Sequence, residues 1–145
     1  MNRSDFLSLI GLGTGAVLTA GLGGCLSGCK KDDTAPPSGV DFTLDLTDPA
    51  NAALGAAGGY VYRGPKDGII VARTAAGTYL AAARRCTHQQ TTLEFRAGST
   101  HFVCPDHHAE FAADGTVARA PDTGPATPLK TYKVVQTGNT LRITG

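Results

Sequence analysis

Cys86-Thr87-His88 and Cys104-Pro105-Asp106-His107 decide the reading of this chain: each motif pairs one cysteine with one histidine, and residues 89–103 lie between them. Three chemistries use such a set. Zinc accepts two cysteines and two histidines, although its finger spacings usually couple Cys with Cys and His with His. A disulfide between Cys86 and Cys104 is the alternative that an oxidising compartment favours. The third is a two-iron, two-sulfide centre. With four thiolates its oxidised core carries two net negative charges, and two neutral imidazoles in place of two thiolates remove both, so the core accepts an electron more readily. A hairpin loop with Cys-x-His can give its thiolate to one iron and its imidazole to the other. A second loop with Cys-x-x-His then completes both.

The residues around the motifs favour the third chemistry. After His107 come Phe111, Asp114-Gly115, Gly124-Pro125-Ala126, Leu129 and Tyr132, and before Cys86 runs Gly77-Thr78-Tyr79-Leu80-Ala81-Ala82. In this order they resemble the Rieske iron–sulfur family over roughly residues 40–145. The resemblance implies a [2Fe–2S] cluster, with Cys86 and Cys104 on the inner iron, His88 and His107 on the outer, redox-active iron, and Gly124-Pro125-Ala126 in the loop that covers them. Centres of this kind lie roughly 200 mV or more above plant-type ferredoxins.

Departures from the family pattern bear on the potential. High-potential respiratory members carry an extra cysteine in each ligand loop and join the two as a disulfide; the corresponding positions here resemble Thr91 and Asp106. Those members also place Ser and Tyr hydroxyls on the cluster sulfur and a cysteine ligand, where this chain has Ala109 and Phe111. Hydrogen bonds to sulfur stabilise added negative charge, so their loss lowers the potential. The chain is similar in this respect to the ferredoxin-like, low-potential branch. Arg84-Arg85, ahead of the first motif, would push the potential up if they face the cluster. His108 stands where many members have glycine and is read as an exposed loop residue or a docking group. His101 is read as structural, and Gln89 and Gln90 as loop-shaping.

The amino-terminal segment has a separate purpose. Residues 6–29 contain no charged side chain, and Phe6 to Leu22 is apolar but glycine-rich, more like the core of a signal peptide than a stable span. Leu26-Ser27-Gly28-Cys29 resembles a lipobox, which makes residues 1–28 a lipoprotein-type signal peptide and Cys29 the lipidation site; Leu22-Gly23-Gly24-Cys25 is a weaker copy. Asn2-Arg3-Ser4-Asp5-Phe6-Leu7 is similar to a twin-arginine export signal with Ser4 in the place of the second arginine. Lys30-Lys31-Asp32-Asp33 resembles a surface-routing signal and reads equally as a solvated charge run. Thr34-Ala35-Pro36-Pro37-Ser38-Gly39 reads as an extended tether, so residues 29–40 form a lipidated linker and 41–145 the domain. The expected location is the cell envelope, on the periplasmic or cell-surface side of a membrane.

The 145 residues carry 13 basic and 12 acidic side chains, a formal charge of +1. No basic field points to nucleic acid. The expected fold is all-β, a small Rieske-type sandwich or partly open barrel with a cluster-binding subdomain made of two loops. Phe42 to Leu46 alternates at period two. Further strands are expected over 59–63, 69–72, 79–84 and 101–104, with a closing hairpin over 131–135 and 140–144. Ala50 to Ala57 has some helical character, but Gly55, Gly58 and Gly59 make it a loop. The chain offers no second metal-binding motif for an oxygenase site, since only His101 and His108 are spare. The expected function is one-electron transfer between redox protein partners, by a carrier anchored to a membrane through its lipid rather than by a complete enzyme. The alternatives are a small subunit of a membrane-associated oxidoreductase and, from another class, a cluster-free surface binding module.

Overall fold

The computed structural model describes residues 35–145. The expected signal peptide, Cys25, the proposed lipid acceptor Cys29 and the Lys30–Asp33 run lie outside the described residues. Among those described, no helix is long and apolar enough to cross a membrane.

Within the described residues, ten strands form two antiparallel sheets. The larger has the order β1 (Asp41–Asp45), β10 (Thr140–Thr144), β9 (Thr131–Thr137), β4 (Tyr79–Ala83), β3 (Ile69–Arg73) and β2 (Tyr60–Arg63), and it curls into a half-barrel. The smaller runs β5 (Glu94–Arg96), β6 (His101–Val103), β7 (Glu110–Phe111) and β8 (Val117–Arg119). The all-β expectation holds, and the strands expected around 42–46, 59–63, 69–72, 79–84, 101–104, 131–135 and 140–144 are all present.

The run Ile69-Ile70-Val71-Ala72 is buried throughout because both faces of β3 are covered, a pattern in which strands read as continuous apolar runs. Ile69 and Val71 join Val61, Ala81, Tyr132, Leu141 and Ile143 in the core of the half-barrel. Ile70 and Ala72 point the other way, toward Leu93, Phe95, Phe102 and Phe111 of the smaller sheet and its loops. The central strands are thus a wall shared by two cores. The smaller sheet is inserted between β4 and β9, whose ends are tied where Ala83 N–H donates to the Lys130 carbonyl at 2.8 Å. The Tyr62 hydroxyl crosses from β2 to donate to the Leu93 carbonyl at 2.9 Å.

Two segments differ from the sequence reading. Pro49–Gly55 is a 3₁₀ helix rather than a loop: Asp48 accepts from Ala50 N–H at 2.8 Å and Pro49 occupies the first helical turn, a favourable start in which the proline lacks only an unneeded donor. The stretch expected as tether is docked from Pro37 onward. Its carbonyl accepts from the Tyr132 hydroxyl at 2.7 Å and the Lys130 ammonium at 2.8 Å, and Val40 pairs with Gly145 in both directions.

Candidate metal centre

Both ligand loops are hairpin ends, and they are closed in the same way. In the first, Arg85 and Thr92 form a bridge, Cys86 N–H donates to the Thr91 carbonyl at 2.8 Å, and Gln90 adopts a left-handed φ of 60°. In the second, which joins β6 to β7, Cys104 N–H donates to the Ala109 carbonyl at 2.8 Å and His108 has φ 55°. In each loop the cysteine amide bonds the carbonyl five residues on, and the residue before that carbonyl is left-handed. This explains why a non-glycine at His108 is tolerated without being preferred: the position needs positive φ, which glycine adopts without strain.

Loop closure sends both thiols into the core. Cys86 is fully buried and Cys104 is 1% exposed, beside Leu93, Phe102, Ala109 and Phe111, all fully buried. The two are free thiols, not a disulfide. Burial pushes the Cys86 thiol up and the neighbouring Cys104 adds to that, while the backbone N–H groups of His88 and Gln89, directed at the sulfur, pull it down. Apolar burial with peptide donors on one sulfur suits a thiolate whose charge a metal ion neutralises.

His88 and His107 stand together, their ring centroids 5.0 Å apart at an interplanar angle of 82°. The Nδ1 atoms of both are buried and have no hydrogen-bond partner. A buried polar nitrogen left alone costs about 1–3 kcal/mol, and neutral imidazole nitrogen is the commonest metal ligand in proteins. Two such nitrogens on adjacent rings, beside two buried thiols, fit a group that takes two sulfur and two nitrogen ligands. Among the described residues no three Cys, His, Asp or Glu side chains converge as a single ion would require. The two imidazoles and the two thiols stand as neighbouring pairs.

The segment 120–128 lies over this site and is fastened to each loop. Thr87 Oγ1 donates to the Thr127 carbonyl at 2.7 Å, and Asp122 N–H donates to the His107 carbonyl at 2.9 Å. A Cβ on Gly124, whose φ is +75°, would stand 3.2 Å from His88 Nε2. The Asp114-Gly115 turn that precedes the segment needs its glycine more strictly: φ is +87° and a Cβ would fall 2.1 Å from the Leu129 carbonyl oxygen.

The other residues singled out in the sequence divide. His108 is exposed, and its Nδ1 meets Asp122 at 2.6 Å, with Arg119 on the far side of that carboxylate at 3.3 Å. Asp122 was not singled out; only its place in an Asp-Thr-Gly-Pro turn hints at it. His101 pairs with Glu110 at 2.9 Å on the smaller sheet and is structural; the contact holds the Glu110 carboxyl below its usual range. Arg84 stacks over the Tyr62 ring at 4.4 Å, and Arg85 donates to the Gln90 carbonyl at 3.1 Å. Arg85 thus braces the first loop, while Arg84 is engaged by Tyr62 and the Asp67 carbonyl. Thr91 and Asp106, which stand in place of the respiratory members' disulfide, are joined by a hydrogen bond from the threonine hydroxyl to the carboxylate.

A family model described as Rieske [2Fe-2S] domain matches residues 50–133. Among solved structures, the plasma membrane Rieske protein PetC3 from the cyanobacterium Synechocystis PCC 6803 is 29% identical, over 55% of this chain and 89% of its own, with a TM-score of 0.41. The ferredoxin of carbazole 1,9a-dioxygenase from Nocardioides aromaticivorans IC177 is 21% identical over 75% of this chain and 88% of its own, TM-score 0.45. The quaternary ammonium Rieske monooxygenase CntA is 19% identical over 66% of this chain but only 29% of its own, TM-score 0.49. No curated protein matches the sequence.

Proposed function

The chain belongs to the Rieske [2Fe–2S] domain family, and on that premise we propose that it is a one-electron carrier held at a membrane by a lipid on Cys29. A Rieske domain binds a [2Fe–2S] cluster, which when bound takes up and gives back one electron. Cys86 and Cys104 would hold the inner iron, and His88 and His107 the outer. The observation that carries this reading is the pair of buried, unpartnered Nδ1 atoms on His88 and His107 beside two buried free thiols.

The chain's own residues set the conditions for that electron. Leu93, Phe102 and Phe111 exclude water from the sulfur side, and the His88 and Gln89 amides stabilise negative charge on Cys86. The two histidines are only half-buried, so they form the short route to a partner. Transfer needs no substrate pocket.

The anchor narrows the partner. Between Cys29 and the docked Pro37 are eight residue steps, which reach at most about 28 Å when fully extended. A domain tethered that closely exchanges electrons with a protein in or on the same membrane, and this supports the envelope location.

Iron and labile-sulfide analysis of the full-length protein purified without oxygen tests the ligand set. Two irons and two sulfides per chain are expected, with loss of both in Cys86→Ser and His107→Ala. One zinc and no sulfide would overturn it.

A further inference from the structure

Each ligand loop is shaped by its own hydrogen bonds, from Cys86 to Thr91 in the first and from Cys104 to Ala109 in the second. Those bonds set the form of a loop but not the distance between loops. Among the described residues, three hydrogen bonds bear on that distance. Two are indirect and run through the covering segment, from Thr87 to Thr127 and from Asp122 to His107. The third is direct: Thr91 Oγ1 donates to an Asp106 carboxylate oxygen.

Its two ends are well chosen. Thr91 is the residue whose carbonyl closes the first loop, and Asp106 lies between Cys104 and His107 in the second. A pull on either is felt at a cysteine and a histidine at once. Threonine is stiff about χ1 because of its second branch, which holds its hydroxyl toward the partner loop.

We propose that Thr91 and Asp106 are positioning residues, a latch that fixes the spacing of the two ligand loops and thereby sets how long the cluster stays bound. The latch acts through geometry and not through the charge of Asp106. It rests on the ligand set proposed above. Contacts that orient metal ligands from outside typically change metal retention by 10–100-fold.

The experiment follows the full-length protein and its Thr91→Val, Thr91→Ser and Asp106→Asn variants. Valine keeps the shape of threonine and lacks the hydroxyl; serine keeps the hydroxyl; asparagine keeps an acceptor and lacks the charge. With a chelator in excess, visible absorbance should decay about tenfold faster in Thr91→Val and within about twofold of wild type in the other two. In the cluster-free chain, amide exchange should quicken in Thr91→Val not only at Cys86 but also at Cys104, across the latch. Decay as slow in Thr91→Val as in wild type overturns the proposal, as does decay as fast in Thr91→Ser as in Thr91→Val. If the wild-type protein holds no iron, the ligand set fails first, and the exchange measurement still decides: an unchanged Cys104 amide then overturns the latch.

Discussion

Gly124 lies over His88 so closely that a methyl group on its α-carbon would stand 3.2 Å from the imidazole Nε2, in a backbone conformation with φ +75°. Both facts bear on one substitution. Gly124→Ala puts an L side chain into the left-handed region, at about 1–2 kcal/mol, and presses on the ring expected to hold the outer iron. Thermal unfolding of the variant should begin several degrees below wild type, and partner-dependent reoxidation of the reduced protein should change more than the midpoint potential does. A wild-type melting temperature in the variant would show that the covering segment yields without strain.

The contact could not be read from the sequence, although Gly124-Pro125-Ala126 could. Motif order carries which residues are used; it does not carry which ring a glycine touches. The same holds for Thr91 and Asp106, whose loops meet only through tertiary packing. Strands show a further limit. Ile69 to Ala72 was legible because four consecutive apolar residues cannot hide, whereas Glu94–Arg96, Glu110–Phe111 and Val117–Arg119 are two or three residues long, too short for a period-two pattern to register. His101–Val103, equally short, was legible only because it leads into the second ligand motif. The 3₁₀ helix over Pro49–Gly55 was obscured by Gly55 at its end and Gly58 and Gly59 just beyond it, and its start depends on a single Asp48 cap.

Tyr132 gives the domain a signature at high pH. Burial pushes its hydroxyl pKa up to about 12, and burial also raises that of Tyr62. The unfolded chain loses these protons near pH 10. Stability from Tyr132 is therefore fully present below pH 10 and is lost as pH climbs from 10 to 12, because only the unfolded state ionises in that window. Melting temperature against pH should be flat approaching 10 and fall above it. Tyr132→Phe should flatten the fall, and at neutral pH should be less stable by about 1 kcal/mol for the lost bond to Pro37. An equally steep alkaline fall in the variant would assign it to other groups.

Membrane attachment should depend on Cys29. Cys29→Ala removes the thiol proposed to accept the lipid, so the variant should accumulate as an unprocessed precursor without an acylated terminus. Intact-mass measurement of membrane and soluble fractions reads this directly. Normal lipidation in Cys29→Ala would transfer the role to Cys25.

The midpoint potential should lie in the lower half of the Rieske range of about −150 to +300 mV. Ala109 and Phe111 are fully buried and have no side-chain donor for sulfur, so the peptide N–H groups of His88 and Gln89 stand without hydroxyl support. The Asp106 carboxylate, in the second loop, disfavours added negative charge. Arg84 and Arg85 do little to offset it, since one is stacked on Tyr62 and the other holds the Gln90 carbonyl. Phe111→Tyr supplies a hydroxyl where the family's respiratory members have one. A hydrogen bond to a charged group contributes about 1.5 kcal/mol, and if that is gained only on reduction it raises a one-electron potential by about 60 mV. Asp106→Asn should also raise it, by a smaller step that shrinks with added salt because an exposed charge is screened, while the step in Phe111→Tyr should be insensitive to salt. Film voltammetry across a salt series separates the two; a wild-type value near the top of the range, or no upward step in Phe111→Tyr, would mean that hydrogen bonding to sulfur does not set the potential here.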